Sequence, residues 1–138
     1  MTPNQIQLLQ SSWQQLRPIR ETAADLFYGR LFELDPQLRA MFRGDLTEQG
    51  HRLTAMLDQV ILKLHDFERL EPTLEALGER HEGYGVKEEH YDAVGAALLW
   101  TLGVGLGEDF SEEVESAWSK LYGAITAVML GQADRQAA

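Results

Sequence analysis

The sequence predicts an all-α protein folded as one domain, residues 1–138. Apolar side chains recur at the three- and four-residue spacing of a helix along nearly the whole chain, and no segment alternates with the period of a strand. Prolines and capping residues stand where helices would begin. With 138 residues, the chain is long enough to bury a sizeable core.

The first half of the chain predicts four helices. Thr2 and Gln5 form a capping box around Pro3, and Asp35 followed by Pro36 is a second N-terminal signal. The fourth helix has a long apolar stripe that one polar residue, Gln49, interrupts. The expected ranges are Pro3 to the interruption at Pro18, Arg20–Leu34, Pro36 to about Phe42, and Leu46 to Leu64.

The second half predicts three helices separated by short links. Residues 66–71 read as a polar link, and residues 107–109 as a turn. Ser111 is the expected N-cap of the last helix, and residues 132–138 look like a frayed tail. The expected helices are Pro72 to a glycine break at Gly83 and Gly85, Glu88 to Leu106, and Glu112 to Met129.

The composition narrows the classes of function. Twelve basic and twenty-two acidic residues give a net charge of −10, which argues against nucleic acid or an anionic membrane as a partner. The absence of cysteine excludes thiolate chemistry and covalently attached c-type haem. The uncharged run of residues 93–107 is too short to span a bilayer and is typical of a core helix. We expect a cytoplasmic protein.

A histidine on the sixth predicted helix is the first candidate for chemistry. Leu74, Leu77 and His81 fall on one helix face, and the glycine break follows directly. This arrangement suits an axial metal ligand whose ring must point inward at a fixed angle. A core histidine without a ligand is the commoner outcome for such a pattern, so the residues alone leave both readings open.

The residue pattern around His81 is more specific than the histidine alone. It resembles the proximal region of bacterial single-domain globins and of flavohaemoglobin globin domains, and the likeness extends from about Trp13 to Met129. The resemblance implies a globin fold, a three-over-three helical sandwich around a haem pocket, with non-covalent haem b as cofactor. The segment that carries it is His81-x-x-Tyr84-Gly85-Val86-x-x-Glu89-His90-Tyr91.

The resemblance assigns roles to residues spread along the chain. His81 matches the proximal iron ligand, Tyr28 and Gln49 match the distal pair that contacts the gas, and Leu53 matches the apolar distal residue. Tyr28 could instead be a core aromatic with its hydroxyl bonded to the backbone, and Gln49 could lie at a helix edge. His51, His65 and His90 read as surface or capping residues. The residues expected to contact the haem are His81, Phe42, Leu53, Leu77, Val86 and Tyr91.

Two departures from flavohaemoglobins shape the functional expectation. The chain ends at Ala138 without flavin and nicotinamide domains, so we expect an external reductase. The family's glutamate near the end of the last helix aligns with Ala133, beside Asp134. We therefore expect a backbone carbonyl on the proximal helix to accept the histidine N–H. This departure favours reversible binding over strongly activated chemistry.

These observations predict a pentacoordinate haem-b globin that binds dioxygen, NO and CO reversibly. Nitric-oxide dioxygenation with an external reductase is the turnover that the resemblance implies. Two alternatives from other classes stay open: a gas or redox sensor that signals to a protein partner, and a haem-free helical interaction module. We expect a monomer or a weak homodimer.

Overall fold

The computed structural model describes residues 1–42, 44–83 and 85–131. This part of the chain contains helices and no strand, which confirms the all-α prediction. The tail predicted for residues 132–138 lies outside the described residues. Four short 3₁₀ segments, Arg17–Ile19, Pro36–Met41, Leu64–Leu70 and Gly107–Asp109, connect the α-helices. The α-helices are α1 Pro3–Leu16, α2 Arg20–Leu34, α3 Leu46–Leu62, α4 Glu71–Gly83, α5 Glu88–Leu106 and α6 Glu112–Met129.

The helix starts follow from short side chains that accept backbone N–H groups. The Thr2 hydroxyl accepts the amide of Gln5 at 3.1 Å, and the Gln5 side chain accepts the amide of Thr2 at 3.0 Å. The Ser111 hydroxyl accepts the amide of Val114 at 3.2 Å. Each bond satisfies a donor that has no partner inside its helix. The predicted capping box and the predicted Ser111 cap are therefore confirmed.

The structure corrects the sequence prediction on both sides of α4. The expected polar link before it is a 3₁₀ segment, Leu64–Leu70, interrupted by the non-helical backbone of Asp66. It is ordered because Leu64 and Leu70 are buried in the core. After α4, only one of the two expected glycines takes the left-handed conformation. Gly83 is still helical, whereas Gly85 has φ +87° and ends the helix.

The helices pack as two layers, α1, α3 and α4 over α2, α5 and α6. Within the second layer α2 packs against α5 and α5 against α6, while α4 and α1 each cross α6. The α2–α3 contact joins the layers on the opposite side. This is the three-over-three sandwich that the resemblance implied.

The core consists of two apolar clusters. The larger one joins α1, α3, α5 and α6 around residues such as Leu9, Trp13, Leu102 and Trp118. The smaller one joins α2, the Pro36–Met41 segment and α5. Leu53 and Leu98 are partly buried and pack against both clusters. Apolar side chains of α3 and α5 are thus left incompletely covered where the two clusters meet.

Hydrogen bonds between side chains hold α1 against its neighbours. The indole N–H of Trp13 donates to the Asp58 carboxylate at 2.6 Å, and Arg17 Nε lies 3.1 Å from the same oxygen. The indole N–H of Trp118 donates to the Ser12 hydroxyl at 2.9 Å. Bonds to a carboxylate are among the stronger protein hydrogen bonds. Asp58 therefore fixes the position of α3 relative to α1.

Two glycines allow helices to approach closely. A Cβ placed on Gly78 of α4 would lie 2.0 Å from the carbonyl oxygen of Met129 in α6. A Cβ placed on Gly50 of α3 would lie 3.0 Å from the Cβ of Ala24 in α2. Only a residue without a side chain permits the first distance, and the second is tighter than an ordinary Cβ contact. The two glycines set the spacing of α4 from α6 and of α3 from α2.

Helix α5 contains all but the last residue of the uncharged run 93–107, but only one face of the helix is buried. Ala97, Thr101 and Leu102 lie in the core, whereas Trp100 and Val104 are exposed. The expectation of a core helix is therefore correct for one face alone. In the part of the chain that the structure describes, no helix combines the length and apolar character needed to cross a membrane.

We expect Gly78→Ala to lower the free energy of unfolding by about 1–3 kcal/mol, because the new methyl group forces α4 away from the α6 backbone. Urea denaturation at neutral pH measures this change. Gly123→Ala is the matched control in α6. Its Cβ meets nothing within 4 Å, so alanine should be neutral or should stabilise the helix by about 0.5–1 kcal/mol. Equal stability of the two variants would contradict the close contact.

Candidate functional site

His81 lies in the last turn of α4 and is half-buried. Its Nδ1 is 2.8 Å from the carbonyl oxygen of Leu77, one turn earlier. A carbonyl oxygen only accepts hydrogen bonds, so Nδ1 carries the proton in this pair. In the neutral imidazole, Nε2 then has a free lone pair and can coordinate a metal. A backbone acceptor is what the sequence predicted.

The backbone around His81 is held on both sides. Leu74 anchors α4 in the core, and Gly78 contacts the Met129 carbonyl. On the C-terminal side the amide of Val86 donates to the His81 carbonyl at 3.0 Å. Val86 is half-buried directly after this turn. The imidazole is thus carried on a segment whose position relative to α6 is fixed by close packing.

Tyr28 lies in α2 and is buried among aromatic rings. Its ring meets Phe42 edge-on at a centroid distance of 5.4 Å, and it stacks on Phe32 at 6.2 Å. The hydroxyl makes no hydrogen bond to a described residue. Among the described residues, the one fully buried side-chain polar atom without a partner is Arg30 Nε, so the Tyr28 oxygen is not such an atom. The Tyr28 hydroxyl is therefore a donor without a hydrogen-bond partner in the described part of the chain.

Burial raises the pKa of Tyr28 to about 12. A phenol in an apolar environment resists ionisation because the charged form loses its hydration. At neutral pH the Tyr28 hydroxyl is therefore fully protonated and can donate a hydrogen bond. The pKa of Tyr91 is also raised, first by burial and then by the nearby charge of Glu82.

Gln49 lies in the first turn of α3 and is half-buried. Its side-chain amide makes no hydrogen bond to any residue that the structure describes. The next residue, Gly50, is at the crossing with α2, where a Cβ would lie 3.9 Å from the Tyr28 ring. Leu53 follows one turn later and packs against both core clusters. The crossing brings the N-terminal part of α3 next to Tyr28.

Phe42 ends the 3₁₀ segment before α3 and is half-buried. It makes edge contacts with Tyr28 and, at 5.5 Å, with Phe32. Edge-to-face ring pairs of this kind contribute about 0.5–1.5 kcal/mol beyond the area they bury. The aromatic contacts therefore link the segment that leads into α3 to Tyr28.

Tyr91, in the first turns of α5, is buried, and its backbone carbonyl accepts the hydroxyl of Tyr122. The Tyr122 ring fits against Gly95, where a Cβ would lie 2.7 Å from a ring carbon. Sequence reasoning assigned no contact to Tyr122 and missed this bond. It also missed Gly50, Gly78 and Asp58, since no local pattern reveals contacts between distant segments.

The other histidines lie apart from this arrangement. His51 is exposed, with Nε2 3.7 Å from a Glu21 carboxylate oxygen, and His65 is exposed. His90 accepts the amide of Lys87 at 2.9 Å and so caps the start of α5. Their surface and capping roles agree with the sequence prediction. Ala133 and Asp134, at the position that the resemblance aligned with the family's glutamate, lie outside the described residues.

The described residues fit a haem. The cofactor needs one axial nitrogen and an apolar surface on both sides of its plane. His81 has a free Nε2. Its Nδ1 donates to a backbone carbonyl, as the second ring nitrogen of a metal-ligating histidine usually does. Leu77 on α4, Leu53 on α3 and Leu98 on α5 are apolar and only partly covered by protein.

Comparison with known proteins agrees with this fit. The globin family model matches residues 25–129. Neuroglobin of the fish Tetraodon nigroviridis is 28% identical over 137 residues, covering 89% of this chain and 86% of that protein. The flavohemoprotein of Bacillus subtilis is 30% identical over 142 residues, covering 96% of this chain but only 36% of that protein. This chain therefore spans about a third of the flavohemoprotein's length.

A solved structure shows the same fold. It is an engineered carbene transferase, a glutamine-to-valine variant of RmaNOD from Rhodothermus marinus, whose assignment as a nitric oxide dioxygenase is itself provisional. The two structures align with a TM-score of 0.84 over 99% of this chain and 96% of the other, at 22% sequence identity. At this identity the likeness concerns the fold alone.

The fold and the site together define a haem-binding, all-helical protein of the gas-binding class. The chain belongs to the globin family, and haem is its cofactor. The resemblance to bacterial single-domain and flavohaemoglobin-type globins is thereby confirmed.

We expect the apoprotein to lose stability as the pH rises from 10 towards 12. Tyr28 ionises at about 12 in the folded state against 10.0 for an unperturbed tyrosine. Its contribution is complete below pH 10 and disappears through this window, by roughly 2–3 kcal/mol. Urea denaturation across this pH range measures the slope. Tyr28→Phe should have a shallower slope; an unchanged slope would show that Tyr28 is not the responsible group.

Proposed function

We propose that this globin binds dioxygen reversibly, with His81 as the only protein ligand of the haem iron and with Tyr28 and Gln49 as distal hydrogen-bond donors. The observation that supports it most strongly is the 2.8 Å contact between His81 Nδ1 and the Leu77 carbonyl. This bond leaves Nε2 as the coordinating atom and fixes the ring. The bound haem supplies ferrous iron, which coordinates diatomic gases.

The proximal side favours reversible binding in this proposal. The acceptor of the His81 N–H is an uncharged carbonyl, whereas a carboxylate acceptor would increase the basicity of the ring. A less basic ligand makes the metal less electron-rich. The chain thus holds His81 in the state expected of a binding protein rather than of a peroxidase-like enzyme.

The distal side adds selectivity for polar ligands. Tyr28 presents a protonated hydroxyl and Gln49 an amide N–H, and neither group has a partner among the described residues. A hydrogen bond from such a donor to a negatively polarised acceptor is worth ~1.5–3 kcal/mol. Dioxygen would gain this energy, and the less polar CO would gain little. Because neither donor titrates near neutrality, gas affinity should be insensitive to mild acid.

A second candidate function is nitric-oxide dioxygenation. In the overall reaction, NO and dioxygen combine with one electron to give nitrate, so an electron donor is required. The match to a bacterial flavohemoprotein over 96% of this chain favours this candidate. In the proposal a separate reductase in the cytoplasm supplies the electron. Nitrate formation from NO in aerobic buffer with an added flavin reductase tests it directly.

The two other hypotheses have less support. Membership of the globin family with its haem cofactor leaves little reason to retain a haem-free interaction module. A sensor role would need a signalling partner, and no described feature of the pocket indicates one. Both hypotheses remain subordinate to gas binding.

We expect His81→Ala to lose haem or to bind it weakly, because the other described histidines are exposed (His51 and His65) or cap the start of α5 (His90). Haem titration followed at the Soret band measures this affinity. His51→Ala, His65→Ala and His90→Ala are the controls and should keep the parental spectrum. Full haem retention with an unchanged spectrum in His81→Ala would contradict the assignment.

We expect Tyr28→Phe to speed dioxygen dissociation by roughly ten- to a hundredfold, since it removes one hydrogen bond of ~1.5–3 kcal/mol and keeps the ring packing. Stopped-flow replacement of dioxygen by CO measures the rate. CO dissociation should change much less. Gln49→Leu should act in the same direction, and the double variant less than additively if both donors share one oxygen atom.

Tyr122→Phe is the matched control for this series. It also removes one tyrosine hydroxyl from an interior position. That hydroxyl donates to the Tyr91 carbonyl, whereas the Tyr28 hydroxyl has no partner among the described residues. It should lower stability while leaving dioxygen release unchanged. If oxygen leaves Tyr28→Phe no faster than the parent protein, Tyr28 is only a core aromatic.

A further inference from the structure

One face of α5 is both apolar and exposed. Ala96, Trp100 and Val104 follow one another at four-residue spacing and all point outward. Trp100 is 38% exposed and Val104 51% exposed. Ile19 extends this surface, because its Cδ1 lies 3.7 Å from where a Cβ on Gly105 would be. We call Ile19, Ala96, Trp100 and Val104 the α5 strip.

The α5 strip is unusual in its lack of charge. The chain has a net charge of −10, yet residues 93–107 contain no charged side chain. Three of the six exposed large hydrophobic residues in the described part of the chain belong to this strip. Scattered apolar residues on a surface are ordinary, but a contiguous group often marks an interaction site.

A pair of opposite charges borders the strip. The guanidinium of Arg30 lies 5.3 Å from the centre of the Trp100 ring, and its Nη1 is 3.2 Å from a Glu33 carboxylate oxygen. Both residues lie on α2, one turn apart. The border thus carries a positive group over the exposed tryptophan and a negative group paired with it.

We propose that the α5 strip binds the same strip of a second copy of this chain, related by a two-fold axis. Such an axis reverses the order of neighbouring groups, so each Arg30 would face Glu33 of the partner subunit. A border of alternating sign is therefore complementary to itself. Elsewhere the excess of carboxylates makes two identical surfaces repel each other.

The shape of the strip fits the same partner. Side chains at i, i+4 and i+8 form a ridge, and two such ridges interlock at a crossing angle of about −50°. Trp100 supplies a large anchor of the kind that dominates binding energy at interfaces. Ala96, one turn away, is small enough to receive the partner subunit's Trp100. One helix face thus offers both a projection and a recess.

The size of the strip indicates a weak dimer. Its exposed apolar area is on the order of 300 Å², at the lower end of functional patches. Stable interfaces bury about 800 Å² per partner. Association of two copies should therefore depend on concentration, with dissociation in the micromolar to millimolar range of about 10⁻⁵–10⁻³ M.

Sedimentation equilibrium of the haem-loaded protein tests the proposal. Between about 5 μM and 1 mM, the range in which such a dimer dissociates, the average mass should rise from one chain towards two. Val104→Asp should weaken association at least tenfold, because it buries an unpaired carboxylate in each copy. Leu62→Asp is the matched control. It changes another exposed apolar residue, 71% accessible, at the end of α3, and should associate like the parent.

A charge exchange tests the two-fold geometry. Glu33→Arg places two cations beside each other and should weaken association several-fold, whereas the double variant Arg30→Glu with Glu33→Arg should restore it. Helical content and the Soret band establish that each variant is folded. A parent protein that stays monomeric at 1 mM, or equal association of Val104→Asp and the parent, would overturn the proposal. A monomer whose reduction by a flavin reductase slows in Val104→Asp would instead assign the strip to the reductase.

Discussion

The hydrogen bond from His81 Nδ1 to the Leu77 carbonyl is the interaction on which the site depends. It determines which ring nitrogen is free, and it directs the imidazole without help from another helix. The bond is internal to α4, so the ring's position is only as well defined as the position of α4. That position in turn depends on Gly78, whose missing side chain lets α4 rest on the backbone of α6. In the proposed function, the orientation of the proximal ligand therefore depends on the packing of α4 against α6.

The proposed distal pair depends on packing between helices. Tyr28 and Gln49 lie on separate helices, and their proximity results from the crossing of α2 and α3 at Ala24 and Gly50. The Asp58 carboxylate holds α3 to α1 through Trp13. Burial then keeps the Tyr28 hydroxyl protonated by raising its pKa. In the proposed function, the distal donors are therefore a product of packing, and the proximal ligand is a product of local helix geometry.

Sequence reasoning succeeded where the determining interactions are short in range. The bounds of α2 and α5, the capping box at Thr2 and the Ser111 cap all follow from residues within one turn of each other. It failed for residues 66–71, which were expected to be a polar link but lie in the 3₁₀ segment Leu64–Leu70 and at the start of α4. Two leucines there are buried by distant helices, and this contact orders a segment whose local composition indicates a loop. It also placed the end of α4 at two glycines, although only Gly85 leaves the helical conformation.

The sequence by itself determined the fold class, the helix order and the face on which His81 lies, because helical periodicity and capping are properties of neighbouring residues. Its resemblance to globins supplied the candidate pocket residues and the cofactor. Only the tertiary structure decided that Gly78 touches Met129, that Tyr122 bonds to Tyr91, that the Tyr28 hydroxyl has no partner among the described residues, and that α5 leaves Trp100 and Val104 uncovered. Each of these depends on segments far apart in the chain, and no local pattern records which distant surfaces meet when the helices pack.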